Sequence, residues 1–311
     1  LASSLALALL NLAACSSAPQ AAAPPAVQQT AAAQAASAAY DFDMDVFHPV
    51  VAHHGMVATE QALASQIGLN ILKGGGNAVD AAVAIGFALA VALPNAGNLG
   101  GGGFMMVYDA KTGKSVALDF REMAPRAATR DMYLDAKGNV VDGKSLYTHY
   151  AVGVPGTVAG MEHALKTWGT MPLAKVVAPA AALAEQGYPV SETLAKVLLQ
   201  TKKTMGQWPA TQAIFWKNGE PLKAGDLLVQ KDLAASMRLI GSEGAKAFYE
   251  GAIATRIAAE MASHKGALTL EDLHSYKVVE RAPTPGTYRG YETVTMPPPS
   301  PGGPHLVQIR N

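Results

Sequence analysis

The stretch that most constrains this chain is Ala81 to Leu93, thirteen residues without a charge or a polar side chain. As a helix it is about 20 Å long, too short for the roughly 30 Å of hydrocarbon in a bilayer. It reads better as a helix buried on all sides within a protein than as a membrane span. Its boundaries agree with a helix: Asn77 and Asp80 can accept the free N–H groups of a first turn, and Pro94 stops it. After Gly100 to Gly103 comes a hairpin, with strands Phe104 to Tyr108 and Ser115 to Phe120 around a turn at Asp109 to Gly113. Both strands are apolar with little alternation, which predicts a sheet covered on both faces.

Other periodic segments surround this pair. Thr59 reads as the cap of a helix with Leu63, Ile67 and Ile71 as its buried stripe, ended by Gly74 to Gly76. Gly153 to Trp168, Leu173 to Gln186, Ser191 to Lys203, Lys231 to Ile240 and Gly251 to His264 also read as helices. Tyr288 to Thr295 alternates like a strand, and Pro297 to Pro299 reads as extended, because each ring fixes φ and removes a donor. Long helices around a short sheet predict a layered α/β architecture.

Composition removes several classes of function. Lys plus Arg equals Asp plus Glu at 24 each, so no basic excess exists to neutralise a phosphate backbone, and no nucleic-acid partner is expected. A single cysteine excludes internal disulfides and thiolate zinc sites, and the eight histidines are scattered without a His-Glu-x-x-His spacing, so no metal site is expected. Gly113-Lys114-Ser115 does not read as a phosphate loop, because Tyr108 stands where the first glycine is needed and a strand follows. There is no Gly-x-Ser-x-Gly elbow.

The first 39 residues differ in kind. Leu5 to Leu10 is apolar and Leu12-Ala13-Ala14-Cys15 places small residues before the only cysteine, the layout of an export signal. It resembles a bacterial lipobox in which Cys15 becomes a lipidated N-terminus; the alternatives are a plain secretory signal or a small buried cysteine. Residues 16–39 are almost all Ala, Pro, Gln and Ser, a tether composition. The organisation read here is a signal at 1–15, a linker at 16–39 and a folded region at 40–311. Export to the periplasm is expected, with a lipid anchor to the outer membrane as the only membrane contact. Leu1 is not Met and Pro304 to Asn311 reads as the opening of a helix, so a longer parent protein is expected.

Arg121-Glu122-Met123-Ala124-Pro125 puts a guanidinium at the exit of a buried strand. Its planar fork suits a carboxylate held at two points. The residues alone leave a second reading equally open, an internal salt bridge to Asp119 or Glu122.

Five segments taken in order resemble the gamma-glutamyltranspeptidase family over about Val50 to the end: Asn77 to Ala82, Gly97 to Phe104, Asp119 to Pro125, Val154 to Gly160, and Met296 to Ser300 with Gly302-Gly303. The resemblance implies an N-terminal-nucleophile hydrolase fold, a four-layer αββα sandwich of the α/β type, of which this chain is an incomplete part. It implies a proenzyme that cuts itself into large and small subunits, with residues 40–311 corresponding to most of the large one. The implied activity is gamma-glutamyltransferase and glutathione hydrolase, moving the γ-glutamyl group of glutathione and related amides to water or to amino-acid and peptide acceptors, with no cofactor. The family's threonine nucleophile opens the small subunit, so no catalytic residue is assigned in this chain. Arg121 matches the arginine that pairs with the substrate α-carboxylate. Without the small subunit, the helix at Ala81 to Leu93 and the hairpin after it are expected to lack their covering layer. Pro301 departs from the family, where many members carry a small residue before the two glycines. The alternatives are a cephalosporin or glutaryl acylase of the same superfamily, and a non-catalytic lipoprotein binding module.

Overall fold

The structure is a computed structural model and describes residues 50–310. Cys15, the signal and the linker lie outside the described residues. The chain divides into Leu1–His53 and His54–Asn311, and the second unit carries the architecture described below.

It opens with helices α1 (Ala62–Lys73) and α2 (Ala78–Ala92), then strands β1 (Phe104–Asp109) and β2 (Lys114–Asp119). Helices α3 (Thr157–Trp168), α4 (Leu173–Gln186), α5 (Glu192–Gln200), α6 (Lys231–Glu243), α7 (Ala252–Ser263) and α8 (Leu270–Ser275) follow, with shorter helices and two pairs of two-residue strands in the segments between the principal elements. Strand β3 (Val279–Arg281), the hairpin β4 (Thr284–Tyr288) and β5 (Tyr291–Thr295), and helix α9 (Gly302–Arg310) complete it. Among the described residues, no helix is long and apolar enough to cross a membrane.

Helix α2 is the centre of the core. Val83, Ala84, Phe87, Ala88 and Val91 are fully buried, and α1, α3 and α4 pack around it. The chain thus covers its own apolar helix, and the expected loss of its covering layer is corrected. Its ends show how a buried helix is tolerated. At the N-terminus, Asn77 Oδ1 accepts from the N–H groups of Val79 and Asp80, while Asp80 Oδ2 accepts from Asn77 N–H at 2.7 Å. At the C-terminus the last carbonyls have no helical partners. Val91 O accepts from Tyr188 Oη at 2.8 Å and Gln230 Nε2 at 2.9 Å, and Ala92 O from Gln61 Nε2 at 3.2 Å. Burial pushes the Tyr188 phenol up to about 12, so it stays a donor.

The α1 stripe keeps Ile71, and Ile67 packs against the core, but its first position differs from the one expected. Ala64, Gly68 and Ile71 are buried, while Leu63 is exposed and Gln61, not Thr59, is the cap. The reason is close packing: a Cβ at Gly68 would overlap the Ile85 side chain of α2. A small-residue seam lets the two helices approach where a leucine seam would hold them apart.

The sheet is antiparallel in order β1-β2-β3, with Met105 opposite Leu118, Met106 opposite Ala117, and Ala117 opposite Arg281. One face, with Met105, Leu118 and then Phe120, packs into the core against α3. The other carries Met106, Tyr108 and Val279 exposed. Coverage on both faces is therefore corrected among the described residues; apolar strands read alike whether the second cover is in the chain or not. The segment Tyr288 to Thr295 is not one strand: Arg289 and Gly290 both have positive φ and turn the chain into the β4-β5 hairpin. Pro298 and Pro299 form a turn with a cis peptide between them, not an extended run. Pro301 sits just before α9, its carbonyl accepting from His305 N–H at 3.1 Å.

Candidate substrate-binding site

Four of the sequence segments converge on the end of β2. Phe120 and Gly103 exchange both backbone hydrogen bonds, at 3.1 and 3.2 Å. Gly101 O accepts from the N–H groups of Gly156 and Thr157, and Asn98 Oδ1 accepts from Gly101 N–H and from Thr157 Oγ1 at 2.6 Å. Met123 and Val154 exchange backbone bonds at 3.2 and 2.7 Å. The glycines serve this stitching and not an anion loop: a Cβ at Gly156 would overlap the Phe120 carbonyl and the Tyr276 hydroxyl, and one at Gly102 would sit 2.6 Å from Phe120 O.

Arg121 emerges from this knot exposed to solvent. Its backbone is held on both sides, N–H donating to Asp119 Oδ1 at 3.0 Å and C=O accepting from Tyr276 Oη at 2.9 Å. Its guanidinium donates to Pro299 O at 3.4 Å, which joins the proline-rich segment to the site. Among the described residues the Arg121 side chain has no carboxylate partner. Asp119, buried beneath it, is occupied by Arg281 Nε on Oδ2 at 2.8 Å.

Two cavities flank Arg121. One of about 330 Å³ is lined by Asp119, Glu122, Tyr276, Lys277 and Arg281. The other, about 350 Å³, lies towards Met123, Met132, Tyr133 and Tyr150. Burial, with the charges of Asp119 and Glu122, holds the Tyr276 phenol well above its ordinary range, so it remains protonated and donating. Tyr249 stacks on Tyr276 with centroids 5.7 Å apart and donates to Pro155 O at 2.9 Å, bracing the same turn.

Sequence reading singled out Arg121 but not Tyr276, Arg281 or Pro299. These lie 155 to 178 positions downstream, and no local pattern links them to Arg121. The histidines are less scattered than expected, since the fold brings His149 and His264 to one carboxylate, Glu260. The turn at His149 packs against the end of α7, where Gly266 admits it.

Helical layers over a small antiparallel sheet, with an exposed guanidinium at a strand exit, define a protein of the α/β class. Residues 64–311 match the family model described as Gamma-glutamyltranspeptidase, and the chain belongs to that family, whose fold is of the N-terminal-nucleophile hydrolase class. It is 55% identical over 278 residues to the glutathione hydrolase proenzyme of Escherichia coli (strain K12), covering 89% of this chain and 48% of the relative. It is 39% identical over 269 residues to the Acylase ACY 1 proenzyme of Pseudomonas sp. (strain V22), covering 85% of this chain and 48% of the relative. The crystal structure of Helicobacter pylori gamma-glutamyltranspeptidase superposes with a TM-score of 0.82 at 48% identity, over 84% of this chain and 75% of that one. The chain spans about half the length of the curated relatives it matches.

Proposed function

We propose that this chain is the γ-glutamyl-recognising part of a gamma-glutamyltransferase and glutathione hydrolase, and that Arg121 binds the α-carboxylate of the γ-glutamyl group. The observation that carries this reading is the Arg121 fork, fixed by its backbone yet free of any described carboxylate because Arg281 takes Asp119. In the family's chemistry a threonine hydroxyl attacks the γ-glutamyl amide, its α-amine serving as base, and water or an amine acceptor resolves the acyl-enzyme. That threonine would come from the small subunit of the same proenzyme, and this chain would contribute binding and orientation. No cofactor takes part.

The acylase relatives favour a second reading of the same pocket. A glutaryl group carries its free carboxylate where a γ-glutamyl group carries the α-carboxylate, and differs only in lacking the α-amine. The test is therefore a pair of anilides on the full-length enzyme. Turnover of the γ-glutamyl anilide well above the glutaryl one supports the transferase reading; the reverse order moves the assignment to an acylase, and turnover of neither overturns both.

We also propose export and lipidation at Cys15, on the sequence pattern Leu12 to Cys15. Fatty-acid labelling abolished by Cys15→Ser, with globomycin-sensitive processing, supports it. Release of unlabelled wild-type protein leaves a plain secretory signal.

A further inference from the structure

We propose that His149, Glu260 and His264 form a binding site for a divalent transition metal of the zinc, cobalt or nickel type. The donors come from two places in the fold. Glu260 and His264 are four residues apart at the C-terminal end of α7, so they share one helix face. His149 comes from the short turn His149–Ala151. One carboxylate oxygen, Glu260 Oε1, lies 3.3 Å from His149 Nε2 and 3.2 Å from His264 Nδ1.

Those separations, which also pair the groups as hydrogen-bonded ions, are those a tetrahedral metal needs. A tetrahedral ion about 2.0–2.1 Å from each ligand places the ligand atoms roughly 3.3–3.4 Å apart. Two of the three edges already have that length, and all three donor atoms lie within 4.8 Å of one another. The two imidazoles are stacked face to face, with centroids 4.2 Å apart, so their in-plane nitrogen lone pairs run parallel and the rings have to turn out of the stack to converge on one ion. Trp208 stands edge-on to both rings, at 5.5 and 6.5 Å, and shelters the pair on one side. The end of α7 also presents the negative pole of a helix to a cation. Ser263 Oγ lies 2.8 Å and the Glu260 carbonyl 3.2 Å from His264 Nδ1, so that nitrogen has to give up both contacts, and the proton it donates to the carbonyl, to bind metal.

The donor set chooses the ion. Two imidazoles and one carboxylate suit zinc, cobalt or nickel, whereas calcium and magnesium prefer all-oxygen cages. Three protein ligands leave a fourth position for water. Tyr150 and Ala151, the residues next to His149, line the cavity beside Arg121, so a bound ion would tie that cavity wall to α7. This proposal does not depend on the assignment of Arg121.

The test uses untagged full-length protein stripped with a chelator. Zn(II) is titrated calorimetrically and Co(II) is followed by its visible d–d bands. One equivalent per chain is expected, with the intense bands of a four-coordinate Co(II) site. Glu260→Gln and His264→Ala, checked for native circular dichroism, should each weaken binding by about tenfold or more, since disturbing even outer partners of a metal costs 10–100-fold. Absence of saturable binding overturns the proposal. So does binding that both folded variants retain unchanged, which would place the ion elsewhere.

Discussion

Arg281 Nε closes on Asp119 Oδ2 at 2.8 Å across 162 positions of sequence, while the other oxygen of the same carboxylate accepts from Arg121 N–H at 3.0 Å. One buried carboxylate thus fixes the backbone of Arg121 and is kept from its side chain. Without Arg281, Asp119 would be the nearest anion for the Arg121 fork. Arg281→Ala should leave Asp119 buried with a single donor and cost about 1–3 kcal/mol. Thermal denaturation of the full-length protein should show a fall of several degrees, and KM for a γ-glutamyl substrate should rise more than kcat falls. Arg281→Lys should recover part of the stability, because it restores the charge without the planar geometry. An unchanged melting temperature in Arg281→Ala would remove Asp119 from this role.

Asp80 provides a pH-dependent contribution whose sign is set by its partners. Burial alone would push its carboxyl up, but Thr170 Oγ1 at 2.6 Å and the N–H groups of Asn77, Thr170 and Met171 outweigh burial and hold it below its ordinary range. The unfolded chain therefore takes up this proton first as pH falls. The stabilisation is fully present above the ordinary carboxylate range and is lost as pH drops through the lower folded value. Asp80→Asn should destabilise at neutral pH by about 1–3 kcal/mol. The gap between variant and wild type in denaturant midpoints should narrow from about pH 4 downward. A gap constant with pH would show that the acid sensitivity lies elsewhere.

How far these features can be read from sequence depends on the range of the interaction. The Asn77 and Asp80 cap of α2 and the bounds of α4 were legible because three-residue cap spacing and a 3.6-residue period are local. In the α1 stripe Ile71 and Ile67 face the core as their spacing predicts, but Leu63 does not, and the contribution of Gly68 carries no hydropathy signal because it lies in what Ile85 needs from a neighbouring helix. Arg121 was legible as a strand-exit arginine. Its environment was not, since Tyr276, Arg281 and Pro299 reach it only through the pairing of β2 with β3 and the return of the chain before α9. The same limit concealed the approach of His149 to Glu260.

The C-terminal end of α2 should show non-additive energetics. Val91 O accepts from both Tyr188 and Gln230 inside the core, so removing either donor leaves the other. Tyr188→Phe and Gln230→Leu should each cost about 1 kcal/mol in urea denaturation. The double variant orphans the carbonyl and should exceed the sum by about 0.5–3 kcal/mol. Additivity would mean that water or another group reaches Val91 O.

The last prediction isolates the role of Arg121 in the full-length enzyme. A substrate carboxylate held by the guanidinium fork should lose about 2–5 kcal/mol of binding when the arginine is removed. Arg121→Ala should lower kcat/KM by roughly 30-fold to several thousand-fold, at about 1.4 kcal/mol per factor of ten. Arg121→Lys keeps the charge but not the fork, and should also be impaired. Self-cleavage into two subunits involves no substrate carboxylate, and the Arg121 backbone is held by Asp119 and Tyr276 whatever the side chain. Both variants should therefore process normally on a denaturing gel. A glutaryl anilide, which keeps the carboxylate, should lose turnover in parallel with the γ-glutamyl one. An acyl anilide with no carboxylate should be nearly indifferent to the substitution. Failure to process would instead assign Arg121 to holding the strand exit through its bond to Pro299 O, with the kinetic loss following from misfolding.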